Sequence, residues 1–113
     1  MEKILDFSKR VYNLNSYEIK QVSGHDGGRN LVYSCSQNGE NKYILRASIL
    51  GDKEEKDYLA ELEFVHYLAQ NGAPVADVFP SVNNKYVECM ECDGNEIYIS
   101  LFAYAKGMLI SDN

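Results

Sequence analysis

The feature that most constrains the fold of this chain is the stretch formed by residues 24–48. It begins with a glycine-rich turn at residues 24–30 and continues with two β-rich runs separated by Asn38-Gly39. Asn and Gly both tolerate the positive φ angles of a tight hairpin turn, so the second run is expected to fold back beside the first. Because residues 17–22 also alternate as a strand, three antiparallel strands are predicted in sequence order.

Two helices are predicted, one near the amino terminus and one in the middle of the chain. The first is indicated by apolar residues that recur three or four positions apart, namely Ile4, Phe7, Val11 and Leu14. The second, main helix is predicted over residues 58–70. It should end at residues 71–74, because Gly72 suits a left-handed cap position and Pro74 prevents the helix from resuming.

The remaining strands complete the expected fold. Residues 85–91 and 96–104 flank a turn at residues 92–95 and are predicted as strands four and five. Residues 75–82 contain Pro80 and are expected to form a connector or a ragged edge strand. The prediction is an α+β domain: a five-stranded antiparallel sheet with the main helix packed on one face and the short amino-terminal helix at its edge.

The composition argues against several classes of partner. The 113 residues include 11 basic and 17 acidic ones, which gives a net charge of −6. Such a charge argues against unaided binding to nucleic acid or to an acidic membrane surface. The chain has three cysteines, no signal-like amino terminus and no apolar run near the roughly 20 residues that span a bilayer. We therefore expect a cytoplasmic protein.

Glu61 is an acidic residue on the apolar face of the predicted main helix, which it shares with Tyr58, Leu62, Val65 and Leu68. A carboxylate on a buried face is costly unless it is paired, and Arg46 lies in a strand that should run beneath this helix. An ion pair between Glu61 and Arg46 is therefore one hypothesis. The alternative is that Glu61 lies at the margin of the apolar face and points to water.

The glycine-rich turn is a candidate phosphate-binding loop. Gly24, Gly27 and Gly28 allow backbone amides to approach an anion closely, and Asn30 follows directly before the next strand. The turn matches neither the dinucleotide fingerprint nor the Walker pattern, so taken alone it is also compatible with an ordinary turn.

Together, these features resemble the amino-terminal lobe of the kinase-like small-molecule phosphotransferases, which include aminoglycoside phosphotransferases, choline kinases and the homoserine kinases of that fold. The resemblance rests on the order and spacing of four pieces: residues 23–30, residues 43–46, residues 61–68 followed by Gly72-Ala73-Pro74-Val75, and residues 102–107. It implies that residues 1–107 form the lobe and end in its hinge. Residues 108–113 would then begin the linker to a second lobe.

The resemblance also implies roles for individual residues. Arg46, where many relatives have lysine, would contact nucleotide phosphates, and Glu61 would orient it. Gly24, Gly27, Gly28 and Asn30 would belong to the loop that covers the phosphates. In the hinge, the carbonyl of Ala103 and the amide of Ala105 would face the adenine edge, with Phe102 behind them. No metal ligand and no catalytic residue is expected within this chain.

The implied function is binding of ATP or GTP for phosphoryl transfer to a hydroxyl group of a small molecule such as an aminoglycoside, choline or homoserine. The second lobe would hold the acceptor and most of the Mg²⁺ coordination. The catalytic-loop aspartate, its asparagine and the metal-binding aspartate of such enzymes are absent from this sequence at the family spacing, so the chain alone is expected to be inactive. The alternative is a non-catalytic interaction domain, and either could form a homodimer through an exposed sheet face.

Overall fold

The computed structural model describes residues 2–23, 30–49 and 54–104. Within these ranges the chain forms two helices and six strands, in the order α1 (Glu2–Val11), β1 (Glu18–Ser23), β2 (Asn30–Gln37), β3 (Glu40–Ile49), α2 (Glu55–Gln70), β4 (Val78–Phe79), β5 (Glu88–Cys92) and β6 (Asn95–Ala103). The predicted α+β class is therefore confirmed.

The strands build one antiparallel sheet in which β1, β2, β3 and β6 are neighbours in that order. The other side of β6 is shared by β5, which pairs with residues 95–99, and by β4, which pairs with residues 101–102. The sheet has one strand more than the predicted five, the short β4, which lies within the residues predicted as a connector or a ragged edge strand. It pairs through only two residues and is followed directly by Pro80, which has no amide hydrogen to continue the ladder.

Two tight turns set the register of the long hairpins. Asn38 and Gly39 have φ angles of 55° and 79°, and Asp93 and Gly94 have φ angles of 54° and 82°. Two consecutive residues with positive φ are the mark of the hairpin turn that matches the twist of antiparallel strands. The predicted hairpin at Asn38-Gly39 is thus confirmed, and the second turn joins β5 to β6.

Helix α2 begins at Glu55, three residues before the predicted start. The amide of Glu54 donates a hydrogen bond of 2.9 Å to the carboxylate of Asp57, so the first turn is capped by charged residues that the apolar pattern does not reveal. The helix ends at Gln70, as predicted, and Gly72 follows with a φ of 87°. Among the described residues, neither helix is long and apolar enough to cross a membrane.

The two helices cover opposite faces of the sheet, which we call the α1 face and the α2 face. Strands β3 and β6 send alternate side chains to each. The core on the α1 face includes Ile4 and Val11 of the helix and Leu45, Ala47, Ile97, Ile99 and Leu101 of the sheet. The core on the α2 face includes Tyr58 and Leu62 of the helix and Ile44, Val78, Tyr98 and Phe102 of the sheet. Helix α1 contacts the edge strand β5, as expected, but it also covers a sheet face, which the sequence did not predict.

Candidate functional site

Arg46 and Glu61 form an ion pair between β3 and α2. The Nη1 atom of Arg46 lies 3.1 Å from Oε2 of Glu61, and its Nη2 atom lies 3.4 Å from Oε1. The Arg46 side chain is 5% exposed and that of Glu61 is 29% exposed. This two-point contact aligns the planar guanidinium with the planar carboxylate and fixes the orientation of the guanidinium. Of the two alternatives for Glu61, the structure shows the paired one.

Phe102 supports the same guanidinium from β6. The Cζ atom of Arg46 lies 5.2 Å from the centre of the Phe102 ring, which is within the range of a cation–π contact. Arg46 is therefore held by a carboxylate from the helix and by an aromatic ring from the adjacent strand. A cation that is restrained in this way loses little conformational freedom when it binds an anion.

The alternation of β3 and β6 explains why polar groups collect at this point. Arg46 pairs across the sheet with Ser100, so both side chains lie on the α2 face. Ser48, two residues after Arg46, shares that face, and both serines are 2% exposed. Leu45, the residue before Arg46, lies on the opposite face and is fully buried. The α2 face thus carries a buried polar row across two central strands.

Two apolar residues beside Arg46 were not among the predicted site residues. Ile44 belongs to the core of the α2 face, and Val32 of the neighbouring strand packs against that core. Val32 is the cross-strand partner of Arg46, and Ile44 precedes it by two residues. The period-2 alternation of a strand could have placed both on the same face as Arg46. They give the guanidinium an apolar flank.

The carboxyl end of β6 corresponds to the predicted hinge. The amide of Ala103 donates a hydrogen bond of 2.9 Å to the carbonyl of Asp77, and the amide of Tyr104 donates one of 3.1 Å to the carbonyl of Lys42. The Ala103 amide is therefore engaged within the protein, which leaves its carbonyl as the group that a ligand could use. Ala105 lies outside the described residues.

The predicted phosphate loop connects two adjacent strands. Strand β1 ends at Ser23 and β2 begins at Asn30, whose main chain pairs with Ser48 two residues beyond Arg46. Gly24, Gly27 and Gly28 lie outside the described residues. The described residues therefore show which strand ends the loop joins, at the end of the sheet where Asn30 pairs with Ser48.

Tyr98 is an ionisable side chain on the α2 face. Its ring stacks on Tyr58 of α2, with the ring centres 4.8 Å apart. Its hydroxyl donates a hydrogen bond of 2.8 Å to Glu96. This bond to a carboxylate, together with burial, raises the pKa of Tyr98 to about 12, so its hydroxyl stays protonated at neutral pH.

No three His, Cys, Asp or Glu side chains come together as a metal-binding group within residues 2–23, 30–49 and 54–104.

The comparison with curated proteins finds a similarity to a kinase. Over 113 residues the chain is 23% identical to amicoumacin kinase of Bacillus subtilis (strain 168), and the match covers 99% of this chain and 32% of that protein. The chain therefore spans about a third of the length of the relative that it matches. No protein-family model matches the sequence.

The comparison with solved structures identifies the same fold. An amicoumacin kinase in complex with AMP-PNP, Ca²⁺ and Ami has a TM-score of 0.76 at 21% identity, covering 98% of this chain and 33% of that one. A microcompartment-associated aminopropanol kinase has a TM-score of 0.78 at 15% identity, covering 95% and 32%. A spectinomycin phosphotransferase in complex with ADP and spectinomycin has a TM-score of 0.66 at 10% identity, covering 93% and 29%. This chain thus has the fold of the amino-terminal lobe of the aminoglycoside phosphotransferase-like kinases.

Proposed function

We propose that this chain is the nucleotide-binding lobe of an ATP-dependent phosphotransferase that acts on a hydroxyl group of a small molecule. The observation that carries the proposal is the buried guanidinium of Arg46, held by Glu61 and Phe102 on the α2 face. The relatives support it, because one solved structure contains AMP-PNP and another contains ADP. The similarity to an amicoumacin kinase also favours a phosphotransferase over the alternative of a non-catalytic interaction domain.

The spacing of groups along the sheet fits a nucleotide. Ala103 pairs with Tyr43, and Arg46 lies three residues further along the same strand. At about 3.4 Å per residue, the hinge carbonyl and the guanidinium are separated by roughly 10 Å along the sheet. A base at the hinge can therefore extend through its ribose to phosphates at Arg46. Val32 and Ile44 lie on the same face and supply an apolar surface for the base and sugar.

The chemistry of the donor groups also fits. A guanidinium presents two parallel N–H groups to phosphate oxygens, and it is charged at every physiological pH. In this proposal Arg46 binds and orients the phosphates, and Glu61 holds Arg46 in place. Gly24, Gly27, Gly28 and Asn30 cover the phosphates with backbone amides, and the Ala103 carbonyl and Ala105 amide bind the base edge. Phosphoryl transfer is helped mainly by such positioning and by neutralisation of charge.

Mg²⁺ would neutralise further phosphate charge, and we propose that a second lobe outside this chain holds most of it. That lobe would also bind the acceptor, whether an aminoglycoside, choline, homoserine or another small alcohol, and would supply the catalytic aspartate. This chain alone would then bind ATP or GTP without transferring phosphate. An enzyme of this kind would work in the cytoplasm, where nucleotide is supplied.

Nuclear magnetic resonance can test the proposal because methyl groups mark the two sheet faces separately. On titration with Mg-ATP, the methyl signals of Val32 and Ile44 on the α2 face should shift. Those of Leu45 and Ile99 on the α1 face should stay in place, and Arg46→Ala should reduce the shifts at equal nucleotide concentration. Shifts that stay confined to the α1 face, or none at millimolar Mg-ATP, would overturn the proposed function.

A further inference from the structure

Asp77 lies immediately before β4 and makes hydrogen bonds in two directions. Its carboxylate contacts Nδ1 of His66 at 2.9 Å and accepts a hydrogen bond from Nε2 of Gln70 at 3.3 Å. It also accepts a bond of 2.8 Å from the amide of Val78. Its backbone carbonyl accepts the bond of 2.9 Å from the amide of Ala103 at the end of β6. One residue therefore contacts both the second half of α2 and the predicted hinge.

These contacts contribute to holding the second half of α2, together with partial packing of Val65 and a ring contact between His66 and Tyr86. The buried residues of the helix, Tyr58 and Leu62, both lie in its first half. The side chains that follow on the sheet side, including Val65 and His66, are only partly buried. Apolar packing therefore fixes the start of the helix more firmly than its end. The contacts from His66 and Gln70 to Asp77 fasten that end to the sheet.

We propose that Asp77 is a positioning residue for nucleotide binding that acts through α2 on the phosphates. The inference rests on the proposed function. The orientation of α2 sets the position of Glu61, and Glu61 sets the guanidinium of Arg46 at 3.1 Å. Glu61 lies between the packed residues Tyr58 and Leu62, so the end of α2 acts on it through the rigid helix. Without the Asp77 side chain the helix can tilt about that packed segment, which turns the Glu61 carboxylate and loosens its alignment with Arg46.

The Asp77 side chain acts on the phosphates rather than on the base because its two connections differ in kind. The bonds to α2 use the carboxylate, whereas the bond to Ala103 uses the backbone carbonyl, which is present whatever the side chain at position 77. Removal of the side chain therefore weakens the support of Arg46 and leaves the hinge contact in place.

Titration calorimetry with Mg-ATP and with adenosine tests this inference. We expect Asp77→Ala to bind Mg-ATP about tenfold more weakly and adenosine with unchanged affinity. The double variant His66→Ala/Gln70→Ala should behave in the same way, and it leaves the Asp77 bonds to Val78 and Ala103 intact. The control is Asp6→Ala, which removes an exposed carboxylate from α1 on the other face and should leave both affinities unchanged. In an Arg46→Ala background, Asp77→Ala should have no further effect.

The outcomes separate this inference from the proposed function. A wild-type chain that binds Mg-ATP while both Asp77→Ala and the double variant bind it equally well contradicts the role of Asp77 alone. An equal loss for Mg-ATP and adenosine in the folded variants also contradicts it, because the side chain would then act on the base or on the whole lobe. A wild-type chain that binds neither ligand overturns the proposed function, and the inference with it.

Discussion

The two faces of the sheet are built from the same strands but differ in where their buried polar side chains lie. On the α1 face, the buried polar side chains are satisfied within the protein. The hydroxyl of Ser8 donates to the carbonyl of Ile4 at 2.7 Å, that of Tyr12 donates to the carbonyl of Ile99 at 3.0 Å, and Glu88 accepts bonds from Ser81 and Asn83. On the α2 face, the buried polar residues Arg46, Ser48 and Ser100 lie across the middle of the sheet, and one of them is a cation, Arg46, paired with Glu61.

Because of this difference, some residues of β3 are expected to matter mainly for stability and others mainly for binding. Leu45 and Ala47 point to the α1 face and lie in a closed apolar core. Arg46, the residue between them in the sequence, points to the α2 face. A buried cation is expensive and adds little stability even when it is paired, so packing alone does not account for it in a central strand, whereas the proposed contact with nucleotide phosphates would. Neighbouring residues of β3 should therefore respond to mutation in different ways.

The largest expected effect on stability is at Leu45 on the α1 face. Leu45→Ala should lower the free energy of unfolding by about 2–5 kcal/mol, because the side chain is fully buried and its removal leaves a cavity. Urea denaturation measures this change, and Val22→Ala, at an exposed position, is the control. A loss below about 1 kcal/mol would show that the α1 face is not the closed core described above.

Glu61→Ala on the α2 face should lower the free energy of unfolding by about 3 kcal/mol, because it removes the carboxylate from a guanidinium that is 5% exposed. The estimate lies at the low end for a broken buried pair, since Glu61 itself is 29% exposed. Its matched control is Glu63→Ala, which changes an exposed carboxylate of the same helix and should cost less than about 0.5 kcal/mol. Equal effects of the two substitutions in urea denaturation would remove the ion pair from the account.

A smaller effect is expected from Tyr98 at alkaline pH. Its pKa is about 12 in the folded protein and 10.0 in its reference state, so the unfolded chain loses this proton first as pH rises. The stability that the neutral hydroxyl contributes is therefore complete below pH 10 and is lost between about pH 10 and pH 12. Tyr98→Phe, which cannot ionise, should lose less stability than the wild type over that interval in urea denaturation. Parallel losses in the two proteins would contradict the hydrogen bond to Glu96.

The pKa values of Tyr12 and Tyr98 are both raised, but for different reasons on the two faces. Burial is the main cause that raises the pKa of Tyr12 on the α1 face, with the charge of Glu88 second, whereas on the α2 face the bond to Glu96 is the main cause for Tyr98. The same type of side chain is thus perturbed mainly by burial on the α1 face and mainly by a hydrogen bond to a carboxylate on the α2 face.

Local patterns in the sequence were sufficient to predict several features. The Asn38-Gly39 hairpin, the end of α2 at Gln70 and the pairing of Arg46 with Glu61 follow from turn chemistry, capping and the periods of helix and strand. The turn and the helix end depend on residues that are close in sequence. The ion pair joins two elements, and the sequence offered it as one of two alternatives for a carboxylate on the apolar helix face. The roles of the predicted site residues in nucleotide binding stay predictions.

Other features depend on tertiary packing, and the sequence left them open or did not predict them; for residues 75–82 it allowed either a connector or a ragged edge strand. Strand β4 exists because Val78 and Phe79 lie beside the end of β6, a long-range pairing that leaves no periodic pattern in two residues. The position of α1 on its own sheet face and the contacts of Asp77 with both α2 and Ala103 likewise join segments that are distant in sequence. Val32 and Ile44 could have been placed beside Arg46 from strand alternation, but an isolated apolar residue in a strand does not indicate a site.

The most direct test of the central claim compares Mg-ATP binding by the wild type, Arg46→Ala and Arg46→Lys in titration calorimetry, with Glu63→Ala as the control. A hydrogen bond to a charged group contributes about 1.5–3 kcal/mol, so Arg46→Ala should bind Mg-ATP about tenfold to a hundredfold more weakly. Arg46→Lys should fall between the two, because it keeps the charge without the planar fork. Equal Mg-ATP affinities for the wild type and Arg46→Ala, with both proteins folded, would contradict the account.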